Sequence, residues 1–247
     1  MKAALAGLLL LAAIPLRAEE VTVAAASDLN FAMKEIIAGF EHDTGYKVRL
    51  TLGSSGNFYA QIASGAPFDV FLSADLTYPR QLEQRGFAAT GATFVYGVGR
   101  IVVWAPQGSR LDLERLGMQA LLDPSVKKIA IANPQHAPYG KAAVAAMEHA
   151  KIYDRVKDKL VLGENISQTA QFVQSGAADI GIIALSIALS QPMRAAGRYW
   201  MIPSDTYPRL EQGAVLLKRA GPAGRKFHEW LRSPEARQVL KRYGFGP

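Results

Sequence analysis

The sequence predicts an α/β protein of two lobes, each a mostly parallel sheet flanked by helices. Short apolar segments alternate with segments whose apolar residues fall at helical spacing along almost the whole chain. Such alternation is typical of parallel strands covered by helices. Behind a leader of 18 residues, about 229 residues remain (247 minus 18), enough for two lobes of roughly a hundred residues each. Since no tandem repeat or long linker separates the halves, we expect the lobes to share crossing strands.

The first 18 residues have the composition of a secretory signal peptide. Lys2 precedes an apolar run from Ala3 to Pro15, and the small residue Ala18 stands at the expected cleavage point. The run is too short to anchor a chain in a membrane permanently. We therefore expect an exported protein that loses residues 1–18.

Composition and charge exclude several classes of protein. The chain has no cysteine, which excludes thiol catalysis, thiolate metal sites and a disulfide scaffold. Without Lys2 and Arg17 the basic count falls from 28 to 26, and the formal charge to 26 minus 21, or +5. Basic residues are dispersed except near the C-terminus, so they indicate a solvated surface, and no nucleic-acid partner is expected.

In the first half, three units of strand and helix are predicted, and a fourth strand follows them. Gly45 closes the first helix, and the Gly65-Ala66-Pro67 segment closes the second, since both residue types break helices. The predicted strands cover 20–26, 46–52, 70–72 and 100–105, and the predicted helices follow residue 26, follow Gly53-Ser54-Ser55-Gly56 and cover 78–85.

The second half repeats this order. An alanine-rich segment at 140–150 and the segment at 167–175 are predicted helices. A terminal helical region at 223–243 is interrupted at Pro234, because proline lacks the amide hydrogen that a helix interior needs. The predicted strands cover 128–132, 160–162, 179–184 and 212–217.

Four joints between a strand and a helix carry small, neutral or amide-rich residues. In open α/β sheets, ligands bind at the carboxyl ends of strands, where helix N-termini present unpaired amides and a partial positive charge. A serine at a single helix start is most often only a cap, so the inference depends on the four joints together. They are 25–28 (Ala-Ala-Ser-Asp), 53–56 (Gly-Ser-Ser-Gly), 133–140 (Asn-Pro-Gln-His-Ala-Pro-Tyr-Gly) and 164–167 (Glu-Asn-Ile-Ser).

None of these joints contains Lys or Arg. Neutral donors fixed at helix termini can surround every oxygen of a compact dianion, whereas a Lys or Arg brings its own hydration and a preferred geometry. The joints therefore predict a binding site that selects a small oxyanion by its size and protonation state.

At these same residues the chain resembles the periplasmic molybdate-binding proteins, the substrate-binding components of molybdate ABC importers. The resemblance covers essentially all of the chain after the leader. Its most specific stretches are Val23 to Leu29, Gly53 to Gly56, Gly65 to Asp75, Asn133 to Gly140 and Arg242 to Phe245.

The resemblance implies a two-lobed periplasmic binding protein of type II, a venus-flytrap fold whose chain crosses between lobes near 96–100 and near 204–213. Residues 19–97 and 206–247 would form lobe 1, and residues 98–205 lobe 2. It also implies capture of molybdate, and of tungstate, in an interlobe cleft and delivery to the membrane permease of an ABC importer. The protein would be a periplasmic monomer, with no enzymatic activity and no cofactor.

The resemblance also implies which residues hold the oxyanion. Ser27 and Ser55 would donate from hydroxyl and amide, and Tyr139 and Ile166 from their backbone amides. These four would meet the metal only through the oxygens of the ion, so none is a direct metal ligand. The predicted set also includes Ser54 and Asp28.

Two positions depart from a simple oxyanion shell. An ionised Asp28 would repel a dianion, so we expect its side chain to turn away as a local cap while its amide stays available. Many relatives have a tyrosine where this chain has Ala184, and Tyr139 or Asp28 could take its place in the shell.

Two alternatives stay open. The ligand could be another oxyanion such as sulfate, or the chain could be a secreted phosphoesterase with Ser27 or Ser55 as nucleophile. A serine nucleophile needs a base within hydrogen-bond reach, and His136 is the only histidine in a site loop. Because the four histidines lack metal-ligand spacing, we expect His136 to pack in its loop or to support a ligand contact.

Overall fold

The computed structural model describes residues 19–247, so the predicted signal peptide lies outside the described residues. Two five-stranded sheets organise this part of the chain, with strand orders β2-β1-β3-β10-β4 and β7-β6-β8-β5-β9. None of the described helices is both long enough and apolar enough to cross a membrane. The strands are β1 Glu20–Ala26, β2 Lys47–Gly53, β3 Val70–Ser73, β4 Phe94–Gly99, β5 Ile101–Pro106, β6 Ile129–Ala132, β7 Leu160–Gly163, β8 Ile180–Ala184, β9 Gly197–Met201 and β10 Leu210–Leu216.

Helices cover both faces of each sheet and follow the strands in alternation. Three short 3-10 segments at 27–29, 117–122 and 157–159 complete the secondary structure. The α-helices are α1 Asn30–Thr44, α2 Ser55–Ala63, α3 Thr77–Gln84, α4 Leu113–Leu116, α5 Pro138–His149, α6 Tyr153–Val156, α7 Ile166–Gln174, α8 Leu185–Ala188, α9 Gln191–Ala196, α10 Pro222–Trp230 and α11 Pro234–Arg242.

The two sheets share one topology. In the first, β2, β1 and β3 pair in parallel, and only β10 runs antiparallel to its neighbours β3 and β4. In the second, β7, β6 and β8 pair in parallel, and only β5 runs antiparallel to β8 and β9. Four of five strands in each sheet therefore point the same way, which confirms the predicted α/β class with two mostly parallel sheets.

The two reversed strands are also the strands that receive the chain from the other sheet. β4 ends at Gly99 in the first sheet, and β5 begins at Ile101 in the second. The chain leaves the second sheet at Met201 and re-enters the first at Leu210. Two connections thus join the lobes. The predicted lobe bounds after residues 97 and 205 stay predictions.

Each sheet has its own apolar core. In the first lobe, α1, α10 and α11 cover one face, where Phe40 packs edge-on against Phe227 with ring centroids 5.0 Å apart, and α2 and α3 cover the other face around Phe58 and Phe71. In the second lobe, Trp104 of β5 is fully buried among aliphatic residues. The strand ends that meet between the lobes are therefore each anchored in a sheet with its own packed core.

Candidate functional site

Four equivalent strand ends meet between the lobes. By strand order, β1 and β2 of the first sheet correspond to β6 and β7 of the second. β1 leads into the 3-10 turn at 27–29, and β2, β6 and β7 lead into α2, α5 and α7. Because the carboxyl ends of parallel strands share one edge of a sheet, each lobe presents two helical N-termini to the other.

These termini enclose a small cavity of about 10 Å³. This volume lies far below the usual range of roughly 300 to 1,000 Å³ for drug-sized ligands, so the closed lobes leave room for nothing larger than a very small solute. Its lining contains no Lys, Arg or His. All six predicted site residues line it: Ser27, Asp28, Ser54, Ser55, Tyr139 and Ile166. The rest of the lining consists of Ala26, Gly53, Ala74, Ala137, Pro138 and Asn165.

The first lobe contributes two buried serines. Ser55 is the first residue of α2, and its Oγ accepts a hydrogen bond from the amide of Ala74 at 2.9 Å. Within residues 19–247 its hydroxyl hydrogen has no recorded acceptor, so it can donate to a ligand. Ser27 follows β1, and its Oγ donates to Asn165 Oδ1 at 3.0 Å and accepts from the Ser167 amide at 3.2 Å. Ser27 thus joins its own lobe to the start of α7.

The second lobe contributes backbone amides. Ile166 is the first residue of α7, and Tyr139 is the second residue of α5, after Pro138. Amides in the first turn of a helix have no acceptor within that helix. Within residues 19–247, neither of these amides takes part in a hydrogen bond. Both are unpaired donors at the cavity, with the helix dipole behind them.

Direct hydrogen bonds close the rim of the cavity. The carbonyl of His136 accepts from Gly56 N at 3.0 Å and from Ser54 Oγ at 2.6 Å. Asn57 Nδ2 donates to Glu164 Oε1 at 2.5 Å. Since these bonds join α2 to loops of the other lobe, the structure is a closed arrangement of the two lobes.

His136 forms a contact between the lobes, which the sequence did not predict. Its Nδ1 lies 3.0 Å from Ser54 Oγ, and its Nε2 lies 3.6 Å from a Glu164 oxygen. Its ring forms no hydrogen bond with Ser27 or Ser55, the serines that the phosphoesterase alternative requires. The Ser54 hydroxyl donates to a backbone carbonyl, so this serine is not activated either.

The expectation that the Asp28 side chain turns away from the site is wrong. Amides of its own turn, those of Asp28 and Leu29, lie near the carboxyl, but Asp28 lines the cavity and is held there by two distant side chains. Asp28 Oδ2 accepts a hydrogen bond from the Tyr139 hydroxyl at 2.9 Å and another from Gln212 Nε2 at 2.8 Å. Both partners are far away in sequence and lie in the buried interior, where they hold the carboxyl at the cavity. The Asp28 carbonyl accepts from the Ser186 hydroxyl at 2.7 Å, which fixes the backbone of the turn.

Burial raises the pKa of Asp28 from 3.8 to about 6. The hydrogen bonds from Gln212 and Tyr139, together with the nearby amides of Asp28 and Leu29, lower the pKa and offset part of this increase. The pKa of Tyr139 is raised well above 10, mainly by burial and then by the negative charge of Asp28. At neutral pH Tyr139 is therefore a hydrogen-bond donor.

Sequence reasoning missed three side chains around the site. Asn165 caps α7 by accepting from the amides of Ser167 and Gln168, both at 3.1 Å. Gln212 of β10 also donates to the Tyr139 hydroxyl at 2.8 Å and accepts from Tyr96 at 2.7 Å. Asn165 stood in a joint already singled out, so its capping role could have been found there. No local signal marks the other two.

Ala184 is fully buried at the end of β8 and does not line the cavity. Among the described residues, Tyr139 is the one tyrosine in the lining of the cavity, and its hydroxyl is held against Asp28. Which group takes the place of the relatives' tyrosine stays a prediction.

Comparisons with known proteins agree with this architecture. The family model described as bacterial extracellular solute-binding protein matches residues 21–246. The molybdate-binding protein ModA of Azotobacter vinelandii is 40% identical over 98% of this chain and 94% of its own. The protein of the same name from Rhodobacter capsulatus is 38% identical over 94% and 90%. A solved structure of a periplasmic molybdate-binding protein of Azotobacter vinelandii superimposes with a TM-score of 0.86 at 31% identity, covering 92% of this chain and 99% of that one.

The fold, the neutral cavity between equivalent strand ends and these similarities agree with one another. The chain is a substrate-binding transport protein rather than an enzyme, and it belongs to the bacterial extracellular solute-binding protein family.

Proposed function

We propose that this protein binds molybdate in the cavity between its lobes and delivers the ion to an ABC importer. The relatives at 38 to 40% identity carry the name molybdate-binding protein. The observation that supports the proposal most strongly is the lining of the cavity. Uncharged donors from both lobes converge there without a single cation: the Ser55 hydroxyl, the unpaired amides of Tyr139 and Ile166, and the Ser27 hydroxyl once it releases its bond to Asn165 Oδ1.

The chemistry of these donors favours a tetrahedral dianion. About four charge-assisted hydrogen bonds at roughly 1.5 to 3 kcal/mol each would work against the desolvation of the ion and an association cost of roughly 4 to 15 kcal/mol. A carboxylate ligand would normally be matched by an arginine or lysine, and the cavity has neither. Tungstate, with the same shape and charge as molybdate, is expected to bind the same donors.

Export and delivery complete the proposal. The leader at 1–18 has the composition of a signal peptide, and the structurally similar Azotobacter protein is named periplasmic. We place the mature chain in the periplasm as a monomer, with the permease of an ABC importer as its partner. A binding protein that closes over its ligand gives the permease two distinct surfaces, open and closed, by which to distinguish empty from loaded carriers.

Titration calorimetry of residues 19–247 tests the proposal. Molybdate and tungstate are expected to bind with one-to-one stoichiometry, and sulfate and phosphate at least a hundredfold more weakly. Equal affinity for sulfate would replace molybdate with the broader oxyanion alternative. The absence of binding by all four ions would refute the proposal.

A further inference from the structure

A carboxylic acid lies inside this otherwise neutral cavity. Asp28 is 1% exposed, and it lines the cavity together with Ser27, Ser55 and the start of α5. If ionised, it would place a negative charge beside the oxygens of a bound dianion, without a cation in the lining to offset the repulsion. The proposed function therefore needs an explanation for this residue.

The two oxygens of Asp28 have different surroundings. Oδ2 accepts two hydrogen bonds, from the Tyr139 hydroxyl and from Gln212 Nε2. Oδ1 is buried and has no partner at hydrogen-bond distance and angle among the described residues, although the amides of Asp28 and Leu29 lie near the carboxyl. A buried ionised oxygen without a donor costs considerable free energy. A proton on Oδ1 removes that cost and turns this atom into a donor, whereas Oδ2 already has its two donors.

The donors around Oδ2 are oriented by a chain of hydrogen bonds. The Tyr96 hydroxyl lies 2.7 Å from Gln212 Oε1 and 3.2 Å from the Ser73 carbonyl oxygen, and donation to the closer acceptor leaves the amide nitrogen of Gln212 facing the carboxyl. That nitrogen donates one hydrogen to Asp28 and the other to the Tyr139 hydroxyl. Tyr139 in turn donates to Asp28. None of these three side chains can reverse to supply a donor to Oδ1 without losing a buried hydrogen bond.

Few titratable groups face the carboxyl. Tyr139 of α5 and Tyr96 of β4 are neutral at physiological pH, since burial raises both of their pKa values well above 10. The sequences of α7 and α8 contain no titratable side chain, and the acidic and basic residues of α1 nearest in sequence, Lys34 and Glu35, are exposed. In β10, Glu211 pairs with Arg209 at 3.4 Å.

We propose that Asp28 binds the oxyanion as a neutral carboxylic acid and donates a hydrogen bond to it from Oδ1; this inference rests on the proposed function. If Asp28 is ionised before the ion arrives, binding of the ion is accompanied by uptake of one proton. The proton comes from water or buffer, and no covalent bond to the ion forms. Asp28 is then a specificity-determining residue, because it favours an acceptor-only oxyanion and couples its affinity to pH.

The pH dependence follows from the burial of the carboxyl. The pKa of Asp28 in the closed protein is about 6, and a dianion beside it raises that pKa further. As the pH rises above about 6, an increasing fraction of the closed protein without ligand has lost the proton and must regain it on binding. Affinity is therefore expected to fall by up to about tenfold per pH unit above that point, until the pKa of the bound form is reached.

Calorimetry with sodium molybdate tests this coupling in the mature chain and two variants. Each titration is run between about pH 5.5 and pH 8.5, in pairs of buffers with different ionisation enthalpies, so that the heat reports the protons taken up. Asp28→Asn places an amide donor where the protonated carboxyl has its hydroxyl. Asp75→Asn is the matched control, because it removes a partly exposed carboxylate that follows β3, near the same edge of the first sheet.

At about pH 8, the wild type and Asp75→Asn are expected to take up close to one proton per molybdate, with affinity falling as the pH rises. Asp28→Asn is expected to take up none and to bind with an affinity that does not change with pH, about 10- to 100-fold tighter than the wild type at that pH. An infrared difference spectrum of the wild type is expected to gain the carbonyl band of a protonated carboxyl when molybdate binds, and Asp28→Asn is expected not to.

Several outcomes would overturn the inference. Wild-type binding without proton uptake would mean that Asp28 stays ionised, and this measurement does not depend on any variant folding. Proton uptake that persists in Asp28→Asn, or loss of molybdate binding by a folded Asp28→Asn protein, would also contradict it. If no form of the protein binds molybdate at any pH, the proposed function itself fails, which is a distinct result.

Discussion

Gly56 is the residue at which closure of the lobes can be tested most selectively. It lies in the first turn of α2, in the first lobe, against the backbone of His136 in the second. A Cβ atom on Gly56 would lie 2.6 Å from the His136 carbonyl oxygen and 3.1 Å from its Cα and Cβ atoms. The obstruction is backbone, so no side chain can rotate away to relieve it. Gly56→Ala should therefore hold the lobes apart.

The size of the effect follows from the contacts that would be lost. To bring the new Cβ from 2.6 Å to the 3.4 Å at which ordinary contact begins, the lobes must separate locally by about 0.8 Å. This lengthens the 3.0 Å bond from Gly56 N and the 2.6 Å bond from Ser54 Oγ to the same carbonyl. At about 0.5 to 1.5 kcal/mol each, the closed form loses about 1 to 3 kcal/mol. Molybdate affinity is then expected to fall by roughly 5- to 150-fold.

Calorimetry and small-angle scattering measure the two sides of this prediction. Gly56→Ala should weaken molybdate binding and leave a larger radius of gyration in the presence of the ion. Its thermal stability without ligand should not fall, because alanine is the better residue within a helix by about 0.5 to 1 kcal/mol. Gly108→Ala is the matched control, since its Cβ would meet nothing within 4 Å. Affinity of Gly56→Ala within twofold of wild type would refute the requirement for this close approach.

Three further variants probe separate parts of the site. Ser55→Ala removes a buried hydroxyl donor and should weaken molybdate binding by about 1.5 to 3 kcal/mol in calorimetry. Ser64→Ala, at the exposed end of the same helix, should bind as wild type. Equal affinity of the two variants would show that the proposed pocket is in the wrong place. Asn165→Ala removes the cap of α7 and its bond with Ser27. The variant should be less stable to unfolding and should bind molybdate more weakly, by about 1 kcal/mol each. An unchanged urea midpoint and an unchanged affinity would contradict this. In the ligand-free protein Asp28 has a pKa of about 6 against 3.8 when exposed, so its contribution to stability is lost as the pH rises through that window. Asp28→Asn should therefore stabilise the protein at pH 8 by up to about 3 kcal/mol. If urea titration finds Asp28→Asn less stable than the wild type at pH 8, the buried carboxylate does not destabilise the protein.

Much of the fold was predictable from local pattern. The alternation of apolar runs with helical periodicity placed β1, β3, β6, β8 and the helices α1, α2, α3, α5 and α7 close to their observed positions. The short helices α4, α6, α8 and α9 were missed. The edge strands β4 and β9 were missed. β4 contains Gly97 and Gly99, which weaken a strand signal. Gly99 has a tertiary reason, because a Cβ there would lie 2.3 Å from the Tyr139 hydroxyl.

The candidate site was predictable wherever its donors belong to helix starts, because capping residues and glycines mark those positions in the sequence. The environment of Asp28 was not predictable in this way. Its partners Tyr139 and Gln212 lie 111 and 184 residues away in the chain, and one of them belongs to the strand that returns from the other lobe. A local cap is the usual role of an aspartate at a helix start, and only the packing of three distant segments overrides it here.

Diffraction from crystals grown with tungstate tests the central claim most directly, because the anomalous signal of tungsten locates the ion without reference to any assumed pocket. The account predicts a single strong peak in the cavity, with oxygens about 2.7 to 3.1 Å from the hydroxyls of Ser27 and Ser55 and from the amides of Tyr139 and Ile166. A peak at the groove lined by Arg80, Lys141 and Arg209, with the cavity empty, would contradict it.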